Sequence, residues 1–259
     1  MNYWTQSRNN VFVAAHRGWS DKYAENTMEA FRAAADLGVD QIETDVRLTK
    51  DGDLVLIHDE TLERVTDGCG KVIDHTLSEL EKLKVKGIGR IPTMIEFLEM
   101  FNDYPSLTLD MELKEYPTEG RETLAYRTCD RVLQAISDAG LDDRCVVNTW
   151  SGKLHEYIYR TYGQKYKQHV YYPQSCLGTC DLDPYSYAYC TCVFGVQEGS
   201  ITIDEVHSLH RRTGVRIWAG AYAKDEPSIN LAVNMGAELI TCNNPDEVLS
   251  ILQKKNLHL

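Results

Sequence analysis

Two short segments of this chain share an unusual pattern. In QIETDVRL (41–48) Glu43 and Asp45 stand two residues apart, and in LTLDMELK (107–114) so do Asp110, Glu112 and Lys114. A β-strand turns alternate side chains to the same face, so each segment would point its acids in one direction. Carboxylates on a buried strand face cost several kcal/mol unless they are paired or bound to a cation. Three or four of them converging match a hard divalent cation such as Mg²⁺ or Ca²⁺, which takes oxygen ligands and keeps waters for a substrate. A buried salt-bridge network with Lys114 and Arg17 would satisfy the same charges. FVAAHRG (12–18) and LVLIHDE (54–60) bear on that choice, because both are apolar runs that end in histidine, His16 and His58. Two imidazoles with an ordinary pKa near 6.5 suit an acid and a base working near neutral pH. The pattern therefore favours a catalytic centre beside a cation. The other six histidines fall in loops, on helix surfaces or in the tail and receive no role.

Such a cluster needs a scaffold that brings several strand ends together. Apolar runs alternate with amphipathic helical patterns along the whole chain: FVAAH, QIETDVRL, LTLDMELK, CVVNTW, HVYYP, CTCVFGV, VRIWAGA and ELITCN read as strands, and NTMEAFRAAADLG, ETLAYRTCDRVLQAISDAG, SGKLHEYIYRTYG, TIDEVHSLHRRTG, EPSINLAVNMG and PDEVLSILQK as helices. Gly38, Gly140, Gly163, Gly214 and Gly236 close helices where a left-handed residue is wanted. About eight βα units with no linker predict a single α/β domain over 1–259, a (β/α)8 TIM barrel, with its site at the C-terminal strand ends. A doubly wound sheet is disfavoured, since no glycine-rich phosphate loop follows the first strand. Residues 59–105 interrupt the repeat and read as an inserted excursion over the barrel mouth, between the second and third strands.

Composition sets further bounds. A net charge of -12 without a Lys/Arg cluster of the kind that holds phosphate backbones argues against a nucleic-acid partner. MNYWTQSRNN lacks the basic start and apolar core of an export signal, and no apolar run reaches the ~18 residues of a membrane span, so a cytoplasmic protein without stable membrane insertion is expected. Cys69, Cys129, Cys145 and Cys242 are scattered and read as reduced. Cys176, Cys180, Cys190 and Cys192 are close enough in sequence to bind zinc, although CxxxC and CxC are not the usual pairs. The oligomeric state has no signature in the sequence.

AHRG at 15–18, ENT at 25–27, IETDVRLTKDG at 42–52, HDETLERVTDGCG at 58–70, IPTMIEFLEMF at 91–101 and ELK at 112–114 together resemble the glycerophosphodiester phosphodiesterases, in order and in spacing. VRIWAGA and GAELITCNNPDEVL resemble that family's last two barrel strands. The resemblance implies a barrel with one divalent metal that cleaves small-molecule glycerophosphodiesters to glycerol 3-phosphate and an alcohol, attacked by water or by the glycerol 2-hydroxyl. It implies Glu43, Asp45 and Glu112 as metal ligands, His16 and His58 as acid and base, Arg17 and Lys114 as the phosphate clamp, Trp218 as a wall for the glycerol, and Glu25 and Asn26 as supports behind the site. The chain departs from the family pattern at Ala24, where proline is usual, at Thr149–Trp150, where Ser-Phe is usual, and in WAGA (218–221) and TCNNP (241–245), which replace WTVN-like and TDxP-like segments. Related enzymes that act as phospholipases D on lysophospholipids, and a non-catalytic binding protein of the same fold, are the alternatives.

Overall fold

The structure is a computed structural model that describes residues 10–258; the segment read for an export signal lies outside them but for Asn10. The chain begins with β1 (Phe12–His16), α1 (Met28–Leu37), β2 (Gln41–Leu48) and β3 (Leu54–Leu56). A short helix α2 (Leu77–Leu80) precedes α3 (Met94–Met100) and β4 (Thr108–Leu113). The rest alternates: α4 (Glu122–Asp138), β5 (Cys145–Asn148), α5 (Gly152–Tyr162), β6 (Lys167–Tyr172), β7 (Cys190–Val193), α6 (Ile203–Thr213), β8 (Arg216–Ala219), α7 (Glu226–Asn234), β9 (Leu239–Cys242) and α8 (Pro245–Lys254). Every strand but β3 pairs in parallel with its neighbours, and β1 pairs with both β2 and β9, which closes an eight-stranded barrel.

Strand alternation explains how the barrel divides its residues. Val13, Ala15, Ile42, Val46, Leu109, Met111, Leu113 and Val147 face outward into the main core beneath the helices. The inward positions build two zones. Phe12, Ala14, Val146, Cys190, Trp218 and Leu239 form a compact apolar plug inside the barrel. Toward the C-terminal ends the same strand faces carry Glu43, Asp45, Asp110, Glu112, Asn148 and His169, all buried. Helix ends follow local chemistry. Thr27 caps α1 by accepting from the Ala30 N–H, and Gly38 closes it at φ 90°.

The excursion differs from its expected bounds. It starts directly after β2, because LVLIHDE supplies β3, which runs antiparallel on Val46–Leu48 and adds to the barrel edge without joining the parallel order. It ends before α3, whose Met94, Phe97, Leu98 and Met100 already pack in the main core, the tilted Phe97 ring 4.5 Å from Phe31. Between them lies a small core of its own, Val55, Ile57, Leu62, Val65, Val72, Leu80, Val85 and Ile91. Between β6 and β7, where the sequence carries no helical pattern, the chain makes two 3₁₀ turns, Gln174–Leu177 and Pro184–Ser186. Among the described residues no helix is long and apolar enough to cross a membrane.

Gly18 fixes how the loop after β1 lies on α1. Its φ is 77°, and a Cβ there would stand 2.7 Å from the Ala30 carbonyl carbon, whose oxygen accepts from Trp19 N–H at 3.0 Å. Gly18→Ala should therefore cost about 2–4 kcal/mol in urea denaturation, through left-handed strain and overpacking together.

Candidate active site

The site is assembled by neighbouring strands rather than by any one segment. In the β2–β4 register Glu43 faces Asp110 and Asp45 faces Glu112, so four carboxylates form a patch on the inner wall. One oxygen each from Glu43, Asp45 and Glu112 lies within 4.8 Å of the others, and this is the one group among the described residues with the geometry to hold a metal. Glu43 is pushed well above the usual carboxylate range, by burial first and then by Asp45, Glu112 and Asp110. Burial likewise lifts Glu112 to about 7 against the pull of Lys114. Burial also works against the charge on Asp45, but Lys114 and Arg17 outweigh it and hold the carboxyl at about 2. Lys114 Nζ sits 3.0 Å from Asp45 Oδ1 and also bonds Glu112. An all-oxygen set in which two members resist ionisation for want of positive charge fits a hard divalent cation, since metal binding releases such protons.

The two histidines flank this patch with different partners. His16 ends β1, its Nδ1 2.7 Å from Asn243 Oδ1 and its Nε2 3.8 Å from Glu43. Burial, and Arg17 beside it, lower its pKa to about 4. His58 follows β3 and reaches the rim from the excursion, not from a barrel strand end. Its Nδ1 is 2.6 Å from Asp59 Oδ1, and burial lowers its pKa as well.

Arg17 adopts φ 58°, and Asn26 φ 54°, unusual values for non-glycine residues that cluster where a loop is held by its surroundings. The Arg17 N–H donates to the Glu43 carbonyl at 2.9 Å, and its guanidinium meets Glu25 at 2.9 Å and Asp45 at 3.3 Å. Asn26 donates to Asp45 at 2.8 Å and accepts from Thr44. Glu25 also receives Arg64, whose Nε contacts Asp59 at 2.5 Å. A continuous chain of charges thus runs from Arg17 through Glu25, Arg64 and Asp59 to His58.

These groups surround a cavity of about 210 Å³ lined by His16, Arg17, Glu43, His58, Glu112 and Lys114 on one side and by Trp150, Tyr171, Cys192, Phe194, Gly220 and Ala221 on the other. Trp218 does not line it. Its side chain is 1% exposed in the apolar plug, because β8 turns it inward one layer below Gly220. The aromatic wall is Trp150, stacked at 4.1 Å on Tyr171, with Phe194 beside both. Cys190 and Cys192 are buried on β7, and all eight cysteines are free thiols.

Residues that the sequence reading passed over are Asp59, Arg64, Asn148, His155, His169 and Asn243. His169 is not in a loop but on β6, its Nδ1 2.7 Å from Asp110, which also accepts from Asn148 at 2.5 Å, while Tyr171 donates to Asn148 at 2.9 Å. Alternation within CVVN and HVYY was the available signal for Asn148 and His169. Nothing local marks Arg64 or Asn243, which act across distant parts of the chain.

A profile of the glycerophosphoryl diester phosphodiesterase family matches residues 16–246. The chain belongs to that family. It is 41% identical over 152 residues to a glycerophosphodiester phosphodiesterase of Caldanaerobacter subterraneus, an alignment covering 54% of this chain and 58% of that one. A Bacillus altitudinis enzyme of the same name is 37% identical over 53% of this chain and 57% of its own. The chain thus spans little more than half the length of these relatives. Among solved structures, a glycerophosphoryl diester phosphodiesterase homologue from Silicibacter pomeroyi superposes with a TM-score of 0.81 at 21% identity, over 96% of this chain and 95% of that one. An Oleispira antarctica phosphodiesterase in complex with the product sn-glycerol-3-phosphate gives 0.74 at 22% identity, over 96% of this chain and all of the other. Against the family pattern, three departures fall at this site: Trp150 forms the exposed part of the aromatic wall, Gly220 and Ala221 line the cavity, and Asn243 holds His16.

His155, fully buried on α5, braces the turn that carries Trp150, with Nε2 3.0 Å from the Thr149 carbonyl oxygen and Nδ1 2.8 Å from Gln168. Burial lowers its pKa to about 4 from 6.5. The unfolded chain takes up this proton first on acidification, so the stability His155 contributes is present above pH 6.5 and is lost toward pH 4, by about 3 kcal/mol. Urea denaturation from pH 7 to pH 4.5 should show a shallower decline for His155→Gln than for the parent.

Proposed function

We propose that this chain hydrolyses glycerophosphodiesters to glycerol 3-phosphate and an alcohol, with Glu43, Asp45 and Glu112 holding one Mg²⁺ or Ca²⁺. The observation that carries the reading is that Glu43 and Glu112, two of three clustered buried carboxylates, line one cavity with two histidines and two cations while Asp45 lies buried beside them, in a member of this family. A divalent metal held by these carboxylates would supply positive charge to the phosphate oxygens, beside Lys114, which bonds Asp45 and Glu112.

The chain's own groups then divide the work. Arg17 and Lys114 neutralise the diester, and the guanidinium fork suits two oxygens at once. His16, whose Nδ1–H points at the neutral Asn243 oxygen, offers its Nε2 lone pair inside the cavity and is the base for the attacking oxygen, either of water or of the glycerol 2-hydroxyl, the latter giving a cyclic phosphate that water then opens to glycerol 3-phosphate. His58, whose Nδ1–H is backed by the Asp59 carboxylate, is better able to carry a proton and delivers it to the leaving alkoxide. Glu25 and Asn26 hold Arg17 and Asp45 in place, and the Arg64 link keeps the two proton carriers at a constant separation. The aromatic wall is open to the leaving alcohol and suits apolar surface there; it favours lysophospholipids as a second substrate class. With all eight cysteines as thiols, a reducing cytoplasmic location suits the chain.

The test is a panel of glycerophosphocholine, glycerophosphoethanolamine, glycerophosphoinositol and lysolipids, with release of glycerol 3-phosphate as the readout. Turnover should vanish with EDTA, return with added Mg²⁺ or Ca²⁺, and be absent in Glu43→Gln; unchanged activity in metal-free protein overturns the assignment. In the same assay, His16→Ala and His58→Ala should each lower kcat by about 10²-fold to 10⁴-fold with folding intact. A variant within a few fold of the parent assigns that histidine a structural role.

A further inference from the structure

The acidic chain carries a short, densely basic stretch. Residues 82–90, KLKVKGIGR, carry four cations and no acid within a protein of net charge -12. Lys82, Lys84 and Lys86 are exposed there, while Arg90 is taken up by Glu96. At the tip stands Ile88, 89% exposed, the most exposed of the large apolar side chains among the described residues.

The tip is a tight turn. Lys86 and Gly87 take φ 47° and 80°, two successive left-handed residues of the kind that make a tight hairpin turn, and the Ile88 N–H donates to the Val85 carbonyl at 3.1 Å. Val85 is buried in the excursion's own core, and Gly89 packs against Thr27 at the N-terminus of α1. That helix end lies at the mouth, because β1 delivers the chain there. Among the described residues, three of the four large exposed apolar side chains, Tyr23, Ile88 and Trp150, sit on loops at this end of the barrel. Tyr23 and Ile88 line a common groove together with Lys22, Lys86, Asp21 and Glu29. Lone surface apolar residues are ordinary. A projecting isoleucine in a segment whose exposed Lys82, Lys84 and Lys86 have no ion-pair partner among the described residues, at the mouth end of the barrel, is a pattern of charge and apolarity that complements an anionic lipid surface.

We propose that the mouth end docks reversibly on anionic lipid bilayers, with Ile88 inserted at the headgroup level and Lys82, Lys84 and Lys86 against the lipid phosphates. One short apolar anchor and three lysines give weak, salt-sensitive attachment rather than stable insertion. The contact does not require the catalytic reading. It would place a cavity that accepts phosphodiesters directly over a surface from which lipid-derived ones arise.

The test is co-sedimentation of the full chain with vesicles of phosphatidylglycerol and phosphatidylcholine, and with phosphatidylcholine vesicles alone. Binding is expected to the anionic vesicles only, and should disappear in about 0.5 M salt. Ile88→Asp should weaken it about tenfold, and Lys82→Gln/Lys84→Gln/Lys86→Gln separately about a hundredfold, with turnover of soluble glycerophosphocholine unchanged. Absence of binding, equal binding by parent and variants, or binding indifferent to salt overturns the proposal. So does a dimer in sedimentation velocity that Ile88→Asp converts to monomer, since the tip would then be covered by a second copy. A parent that binds vesicles but cleaves no soluble diester would refute the proposed hydrolysis and leave the docking intact.

Discussion

Four carboxylates on the inner wall of β2 and β4 are the constraint on which the rest of this molecule turns. Buried acids repel one another and resist ionisation, so Glu43, Asp45, Asp110 and Glu112 can share a wall only if positive charge is brought to them. The fold brings it from two directions, Lys114 from β4 and Arg17 from the loop after β1, while His169 on β6 hydrogen-bonds Asp110. Protein cations alone leave Glu43 and Glu112 with raised pKa values. The imbalance is the physical reason to read the cluster as a cation site rather than a finished salt-bridge network.

Holding those cations determines the local backbone. Arg17 reaches Asp45 and Glu25 only because the chain enters a left-handed turn as β1 ends, and that turn is possible because Gly18 lets the loop settle on α1. Both Arg17 and Asn26 accept an unfavourable φ, and both are held by side-chain partners in the same charge network. Strain, packing and electrostatics therefore coincide in one loop of about ten residues, the pattern expected where a site is kept in a single arrangement.

The excursion completes the site from outside the barrel. Its small independent core carries His58 to the rim, and Arg64 then ties Asp59 to Glu25 across the mouth. The opposite wall is uncharged, with Trp150 stacked on Tyr171. The cavity thus has a polar half suited to a phosphate and an aromatic half suited to whatever the phosphate carries, and the charged loop 82–90 extends the same mouth toward a surface.

Much of this was legible in the order of residues. The eight barrel strands, the helix stops at glycine, and the shared faces of Glu43 with Asp45 and of Asp110 with Glu112 follow from periodicities of two and 3.6 residues, which are local properties of the backbone. What only the tertiary structure decided depends on register and depth. LVLIHDE reads as a strand and is one, but whether it joins the parallel order or folds back on β2 depends on which edge is free, and no local pattern encodes that. Trp218 has the right type for a cavity wall yet belongs to the plug, because inward-facing residues of a barrel strand are separated into layers by barrel tilt and not by sequence. His169 and Asn243 became visible only when β6 and the loop after β9 were brought against β4 and β1. Asn243 contacts His16 across 227 positions, and a hydrogen bond over that separation is specified by closure of the whole barrel.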